Sequence, residues 1–311
     1  MMKVYNLIFF VLFASTPSIA GGKKSDAYFR QVTFDSKLSI VGKQEIESDI
    51  VRKNNCYHFT YDDAGKITQI DYLKANKINK DLFFGVATIK MEYTKDFEKR
   101  TYFNSLGKPM LDNIGVYCIR LRYDESKQAL SLFNYNHLGD LIRDHANVAQ
   151  YMWLLDKDGK RIKSMRFDNR GNRIVDAEGF YEIRTKYDDK GNLIELVNYD
   201  RDGNIHKSKG WVEIIHRAYD DEGNLMEESY WGTDNQLKEG RDRVAITRWQ
   251  YDSYGNVLEE SYFGIDELPK ERRLNENSSY ATVRWKYDQA GNLLRTSYLN
   301  KKQIAPLSSS N

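Results

Sequence analysis

The chain predicts an all-β fold, a solenoid-like array of about eight 32-residue β-hairpin repeats forming an extended, twisted antiparallel sheet. Three observations lead there: a six-residue phrase that returns on a fixed beat, alternating strands on both sides of it, and a composition that favours strands. The phrase reads YDDKGN from Tyr187, YDDEGN from Tyr219 and YDSYGN from Tyr251. Aligned on its tyrosine, the series Tyr61, Tyr93, Tyr123, Leu155, Tyr187, Tyr219, Tyr251, Tyr287 has intervals of 32, 30, 32, 32, 32, 32 and 36 residues. So regular a period marks a repeat architecture in which each unit buries its apolar surface on its neighbours. Aromatic residues make up 13% of the chain, with twenty-two Tyr and only four Pro, which favours strands over helices.

The elements follow in chain order. Residues 1–20, MMKVYNLIFFVLFASTPSIA, have a positive start at Lys3, an apolar run from Val4 to Ala14 and the small-x-small pattern Ser18-Ile19-Ala20. That is the pattern of a secretory signal, with cleavage expected after Ala20. No later segment is apolar and long enough for a membrane helix, so a soluble, exported chain without a membrane span is expected. Its final address would be the periplasm, the cell surface or the medium. Residues 21–52 alternate without the repeat and are expected to cap the array. Residues 53–302 are the repeat domain, and 303–311 a flexible tail.

Within each repeat, an alternating run such as FYEIRTKY (Phe180 to Tyr187) or YATVRWKY (Tyr280 to Tyr287) precedes the phrase. A second such run, LIELVNY (Leu193 to Tyr199) or VLEESYF (Val257 to Phe263), follows it. Both have the period of half-buried strands. In DxxGN the first Asp is suited to bond the turn backbone, and Gly to take the left-handed conformation of a bulged hairpin. A calcium loop would need a closing Glu twelve residues from its start, and no copy has one there. The phrase is therefore a turn. A second glycine turn follows in several copies, as at Asp200-Arg-Asp-Gly203-Asn, and copies two and three of the phrase (YTKDFE, YDESKQ) are worn.

Strand periodicity sorts residues by face. Ile119, Leu121, Tyr123 and their equivalents Ile183, Thr185, Tyr187, Thr247, Trp249, Tyr251, Val283, Trp285 and Tyr287 form the buried column. Three positions ahead of each tyrosine, the other face carries His58, Lys90, Arg120, Met152, Arg184, His216, Arg248 and Arg284, a basic ladder. Glu195, Glu227 and Glu259 stand near the cross-strand position of Arg184, His216 and Arg248. Such pairs stabilise a solvated sheet by about 0.2–1 kcal/mol each. At the last copy Arg284 is expected to face Arg295 instead of a glutamate, leaving positive charge for an anion. Arg120, Arg184, Arg248, Arg284 and Arg295 are the candidate ligand-binding residues.

Cys56 and Cys118 occupy one column a whole hairpin apart. At about 9–10 Å, against the roughly 7 Å limit between disulfide-bonded Cα atoms, they are expected to be unpaired thiols. No metal, cofactor or catalytic residue is indicated, since GxSxG, HExxH, CxxC and phosphate-loop patterns are absent. The net charge of +2 gives no bulk affinity for polyanions. Nucleic acid is not an expected partner, because aromatic and basic columns are assigned to opposite faces and the chain is exported.

The units YDDKGN, YDDEGN and YDSYGN, each behind a strand ending in an aromatic, resemble the bacterial YD-type repeats of RHS-like secreted and surface proteins. More loosely they are similar to the tyrosine-glycine hairpins of MORN modules. Over about Tyr57 to Tyr298 the resemblance implies exported β-hairpin arrays serving as shells, adhesive surfaces or binding scaffolds. The longer unit and the second turn depart from the RHS pattern, so no functional residue is carried over. The expectation is a non-enzymatic binding scaffold for a protein or glycan. The alternatives are an envelope enzyme with a site in the irregular loop 134–149, around His137 and His145, or a structural or assembly component of a surface layer.

Overall fold

The computed structural model describes residues 25–35, 37–81, 83–126, 128–206, 212–240, 243–275, 278–289 and 291–303. The expected signal segment and most of the tail lie outside them. The fold is all-β. One antiparallel sheet is built of consecutive hairpins and is not closed into a barrel. Among the described residues there is no α-helix, only short 3-10 turns such as Ser48–Lys53.

The chain packs as two units, one reaching Leu193 and including Tyr199–Asp202, the other formed by Ile194–Asn198 and the residues from Gly203 onward. The first unit holds β1 (Asp26–Phe34), β2 (Ile40–Ile46), β3 (Cys56–Tyr61), β4 (Ile67–Lys74), β5 (Lys77–Ile78), β6 (Thr88–Tyr93), β7 (Phe97–Phe103), β8 (Cys118–Tyr123), β9 (Ala129–Tyr135), β10 (Gln150–Leu155), β11 (Arg161–Phe167) and β12 (Glu182–Tyr187). β13 (Leu193–Tyr199) is shared between the two. The second unit continues with β14 (Ile214–Tyr219), β15 (Leu225–Trp231), β16 (Ile246–Tyr251), β17 (Val257–Phe263), β18 (Arg272–Asn275), β19 (Ser278–Tyr280), β20 (Thr282–Tyr287) and β21 (Leu293–Leu299). Each strand pairs with the next, apart from three local exceptions. β1 lies between β2 and β3, the short β5 folds back on the end of β4 while β6 pairs with the body of β4, and β18–β19 form a separate ribbon.

The repeated phrase is a turn, as its residues predict. Asp188 Oδ1 accepts the Asn192 backbone N–H at 2.7 Å, the Gly191 N–H donates to the Asp188 carbonyl at 3.0 Å, and Gly191 has φ 89°. The closing Asn adds a bond of its own, from Asn192 Nδ2 to Asp188 Oδ2 at 2.8 Å, and Asn224, Asn256 and Asn292 repeat it. The pairing register slips at the tyrosine itself, between Ala218 and Tyr219, Gln250 and Tyr251, and Lys286 and Tyr287. That slip is a β-bulge. The tyrosine hydroxyl has a task a phenylalanine could not perform. Tyr187 donates to the Arg161 carbonyl at 3.0 Å and Tyr251 to that of Leu225 at 2.9 Å, tying each hairpin to the one before it.

The core of the first unit has three sources. Its strands supply Phe59, Ile70, Ile89, Leu121, Tyr151 and Trp153. Loops between hairpins add Phe84, Val86, Ile114, Val116 and Val148. The third source is the β1–β2 hairpin, whose tip brings Phe34 and Leu38 onto the same apolar surface. There Arg100 NH2 donates to the Leu38 carbonyl at 2.5 Å and its guanidinium lies 5.7 Å from the Phe34 ring centre. Glu98 pairs with Arg100 at 2.5 Å, both side chains less than a tenth exposed. Among the described residues, the second unit buries Leu196, Val212, Ile215 and Ile246, and Val244, Tyr262 and Val283 cluster with Tyr280 and Trp285 against them.

The loops that feed the first core form a column that sequence reading did not single out. Asp112 Oδ1 accepts the Ile114 and Val116 N–H groups, and Asp144 Oδ1 those of Ala146 and Val148. Asp176 does the same for Glu178 and Phe180. Successive loops then bond to one another, Asn113 N–H to the Phe84 carbonyl, His145 to Ile114 and Ala177 to Ala146. Burial of these carboxyls has a cost that varies with the partner. Asp176 receives a buried bond from Arg166 Nε at 2.9 Å, and Asp144 one from Tyr151 Oη at 2.7 Å. Burial pushes Asp112 up to about 7, with the neighbouring Asp144 charge adding to it.

Candidate functional site

The basic ladder lies on the sheet face opposite the core, as alternation requires. Arg120, Arg184 and Arg284 are exposed and Arg248 is half-buried. What the cations rest on differs from the sequence expectation in two respects, both matters of strand register.

The first concerns the glutamates. Glu227 stands opposite Ala218 in its own hairpin and opposite Arg248 of the next, and Glu259 stands likewise opposite Gln250 and Arg284. The carboxylates therefore pair forward, Glu195 with His216 at 3.4 Å, Glu227 with Arg248 at 2.8 Å and Glu259 with Arg284 at 2.6 Å. Arg284 stands opposite Ser297, and the residue facing Arg295 is Lys286. The expected Arg284–Arg295 confrontation is corrected accordingly, because the bulge moves the pairing on the two sides of the turn out of step.

The second concerns the aromatics. The last residue of each second strand shares the ladder face, diagonal to the cation. Arg120 lies 4.8 Å from the Tyr135 ring centre, Arg184 3.9 Å from that of Tyr199, and Arg248 4.6 Å from that of Phe263. Lys90 sits 5.1 Å over Phe103, and the His216 ring is 5.6 Å from that of Trp231. Basic and aromatic columns thus run together, and the assignment of the aromatics to the core face alone is corrected. Each such pair is worth about 0.5–1 kcal/mol at an exposed site and fixes the guanidinium in one plane.

The two units differ along this face. Eight residues after the tyrosine, the first unit has Gln69, Thr101, Ser131 and Lys163, with no carboxylate, while Glu195, Glu227 and Glu259 of the second each answer a cation. Lys90, Lys99, Arg120, Arg122, Lys163 and Arg184 consequently leave the first unit's ladder face positive, against Glu92 paired with Lys99, Asp71 bonded to Thr88, and Glu182.

Other sequence-indicated residues are not assembled into a site. Cys56 and Cys118 are buried free thiols. Burial pushes the Cys56 thiol up to about 11, which makes it a poor nucleophile. Residues 134–149 are ordinary turns of the array. His137 packs edge-on against Tyr117 at 5.1 Å, while a Cβ on Gly115 would fall within 2.5 Å of the His145 ring. The two histidines serve different turns.

No family model matches the chain, and no curated protein does. Among solved structures, the chain is similar to part of the TcdB2-TccC3-TEV crystal structure, at 12% identity and a TM-score of 0.29, over 88% of this chain and 15% of that one. A porin-like protein from Bacteroides uniformis ATCC 8492 aligns at 13% identity and a TM-score of 0.20, over 86% of this chain and 87% of that one. The chain thus spans a small fraction of the first of these, and scores so low carry no argument about function.

Proposed function

We propose that the protein is an exported, non-enzymatic β-hairpin repeat scaffold that binds a protein or glycan partner along the ladder face. The observation that carries this reading is the stripe of cations laid on aromatic rings that outnumber the carboxylates beside them across the first unit, where Lys90 and Arg120 have rings but no ion pair among the described residues and Arg184 shares Glu182 with Lys163. A stripe that served only to hold the sheet together would be neutralised throughout, as it is at Glu227–Arg248 and Glu259–Arg284. Here fixed, exposed guanidinium planes face outward from strands already paired on both sides. Arginine and aromatic residues are also the types most enriched where binding energy concentrates. The Lys3 to Ala20 segment supports export. Among the described residues no helix is long and apolar enough to cross a membrane.

The test is affinity capture from envelope and extracellular extracts with the native chain and with a Lys90→Ala/Arg120→Ala/Arg184→Ala variant. The native chain is expected to retain a partner that the variant releases. Identical retention by the two, with matched thermal unfolding, removes the ladder from the reading.

A further inference from the structure

Where the fourth repeat meets the fifth, the internal pattern breaks at several places that converge on one patch. In five copies the second strand is followed by a residue that bridges back to its final aromatic, and in four of them that residue is apolar: Pro109 to Phe103, Leu141 to Tyr135, Leu237 to Trp231 and Pro269 to Phe263. At Phe167 that residue is Arg173. Five positions ahead of the tyrosine the other copies have Cys56, Thr88, Cys118, Gln150, Ile214, Ile246 and Thr282, all uncharged, whereas the fifth has Glu182. An arginine in an apolar column and a glutamate in a neutral one depart from the pattern together, and the two pair with each other.

Glu182 is a hub. Lys163 Nζ reaches its Oε1 at 3.1 Å, Arg184 Nε the same oxygen at 2.9 Å, and Arg173 NH2 its Oε2 at 3.4 Å. One carboxylate cannot neutralise three cations, and the patch remains positive. The hydrogen-bonding capacity of the cations also exceeds what the carboxylate uses, since Arg173 Nε is shielded from solvent and donates to no described residue. Arg173 lies 4.2 Å from the Tyr181 ring centre, with exposed Arg201 at 5.8 Å from the same ring. Arg184 lies over Tyr199. Two tyrosine rings thus carry three guanidinium groups.

We propose that this patch is a binding site for an acidic polysaccharide, its cations taking the glycan's carboxylates and the tyrosine hydroxyls its sugar hydroxyls. This rests on the ladder reading and places its anchor at the fifth repeat. Planar guanidinium groups match carboxylates in a bidentate fork, which favours an anion over a neutral sugar. Guanidinium groups also occupy ring faces on which a neutral sugar would stack. An acidic peptide would be expected to add its backbone to a free sheet edge. The strands here, β11 and β12, are interior and offer no such edge, so recognition must come from side chains.

The test titrates polygalacturonate, neutral dextran and poly-glutamate into the full chain by calorimetry. Arg173→Leu, which installs the residue of the equivalent Leu141 and Leu237 positions, and the exposed Arg201→Ala are compared after a check of thermal unfolding. Polygalacturonate is expected to bind, dextran not, and each variant to weaken polygalacturonate about tenfold or more, with affinity falling as salt rises. Absence of polygalacturonate binding, unchanged affinity in both the Arg173→Leu and the Arg201→Ala variant, or equal affinity for poly-glutamate overturns the site. If Lys90→Ala/Arg120→Ala abolishes binding while Arg173→Leu leaves it intact, the ladder reading stands and the fifth-repeat assignment falls.

Discussion

The two units are written in the same repeat, yet the one with the more faithful copies has the poorer core. The second unit keeps the phrase at Tyr219, Tyr251 and Tyr287, but Leu293 and Leu294 are 54% and 60% exposed, and among the described residues Val212 is its one large apolar side chain buried almost completely. The first unit contains the worn copies YTKDFE and YDESKQ and buries Phe59, Ile89, Leu121 and Val148 almost completely. The difference is not in the hairpins. A single sheet has two faces and can bury apolar area only where something lies on it. In the first unit the β1–β2 tip and the stacked Asp loops do so. Fidelity to the repeat gives strands, while coverage gives stability.

The largest expected effect comes from removing the tip's anchor. Arg100→Ala leaves Glu98 buried without its cation and loosens Leu38, and the first unit should lose about 3–5 kcal/mol, read by chemical denaturation. A loss under 1 kcal/mol would mean that the tip is incidental. Next in size is the dependence on pH. The folded Asp112 holds its proton to about 7, well above an ordinary carboxyl, so the native state binds the extra proton between the two values. Stability should therefore fall as pH rises from about 4 through 7, by on the order of a few kcal/mol, and Asp112→Asn should flatten that slope. Thermal unfolding of both proteins at pH 5.5 and 8 decides it.

Hydrogen exchange should sharpen the same contrast without mutation. Amides of β16, β17, β20 and β21 should exchange before those of β6–β9, since local opening tracks buried apolar contact. Uniform protection would erase the distinction. The smallest effect is on the ladder. Glu227→Gln should cost only about 0.2–1 kcal/mol. It should also make the second unit's face positive like the first, which a gain in polygalacturonate affinity would report.

Strand positions, the turn chemistry of DxxGN, the core and ladder faces and the free thiols were legible because each depends on neighbours in sequence. Periodicity places Arg184 opposite Tyr187 in facing whatever the tertiary structure does. The glutamate partners were not legible, because the one-residue bulge at Tyr251 decides which sheet face Glu259 shares: with it Glu259 stands opposite Gln250 and, across the next strand pair, Arg284, while Arg248 meets Ser261. The same register conceals Tyr199 beneath Arg184. The Asp112, Asp144 and Asp176 column lies in loops, where periodicity is silent, although its spacing of 32 residues between members was present to be found. The Phe34 and Leu38 tip depends on a contact across more than sixty residues with Arg100, beyond any local rule.

The forward pairing of the glutamates bears on how such a chain can change length. From Glu195 to Glu259 each hairpin supplies an acid to its successor, so a 32-residue segment duplicated or deleted within that row splices in with donor still meeting acceptor. Had each hairpin closed its own charges, copying would be neutral but neighbours would be electrostatically indifferent to one another. As built, the second unit can grow or shrink by gene-level duplication without stranding a charge, and a slipped junction is penalised at the seam where it occurs.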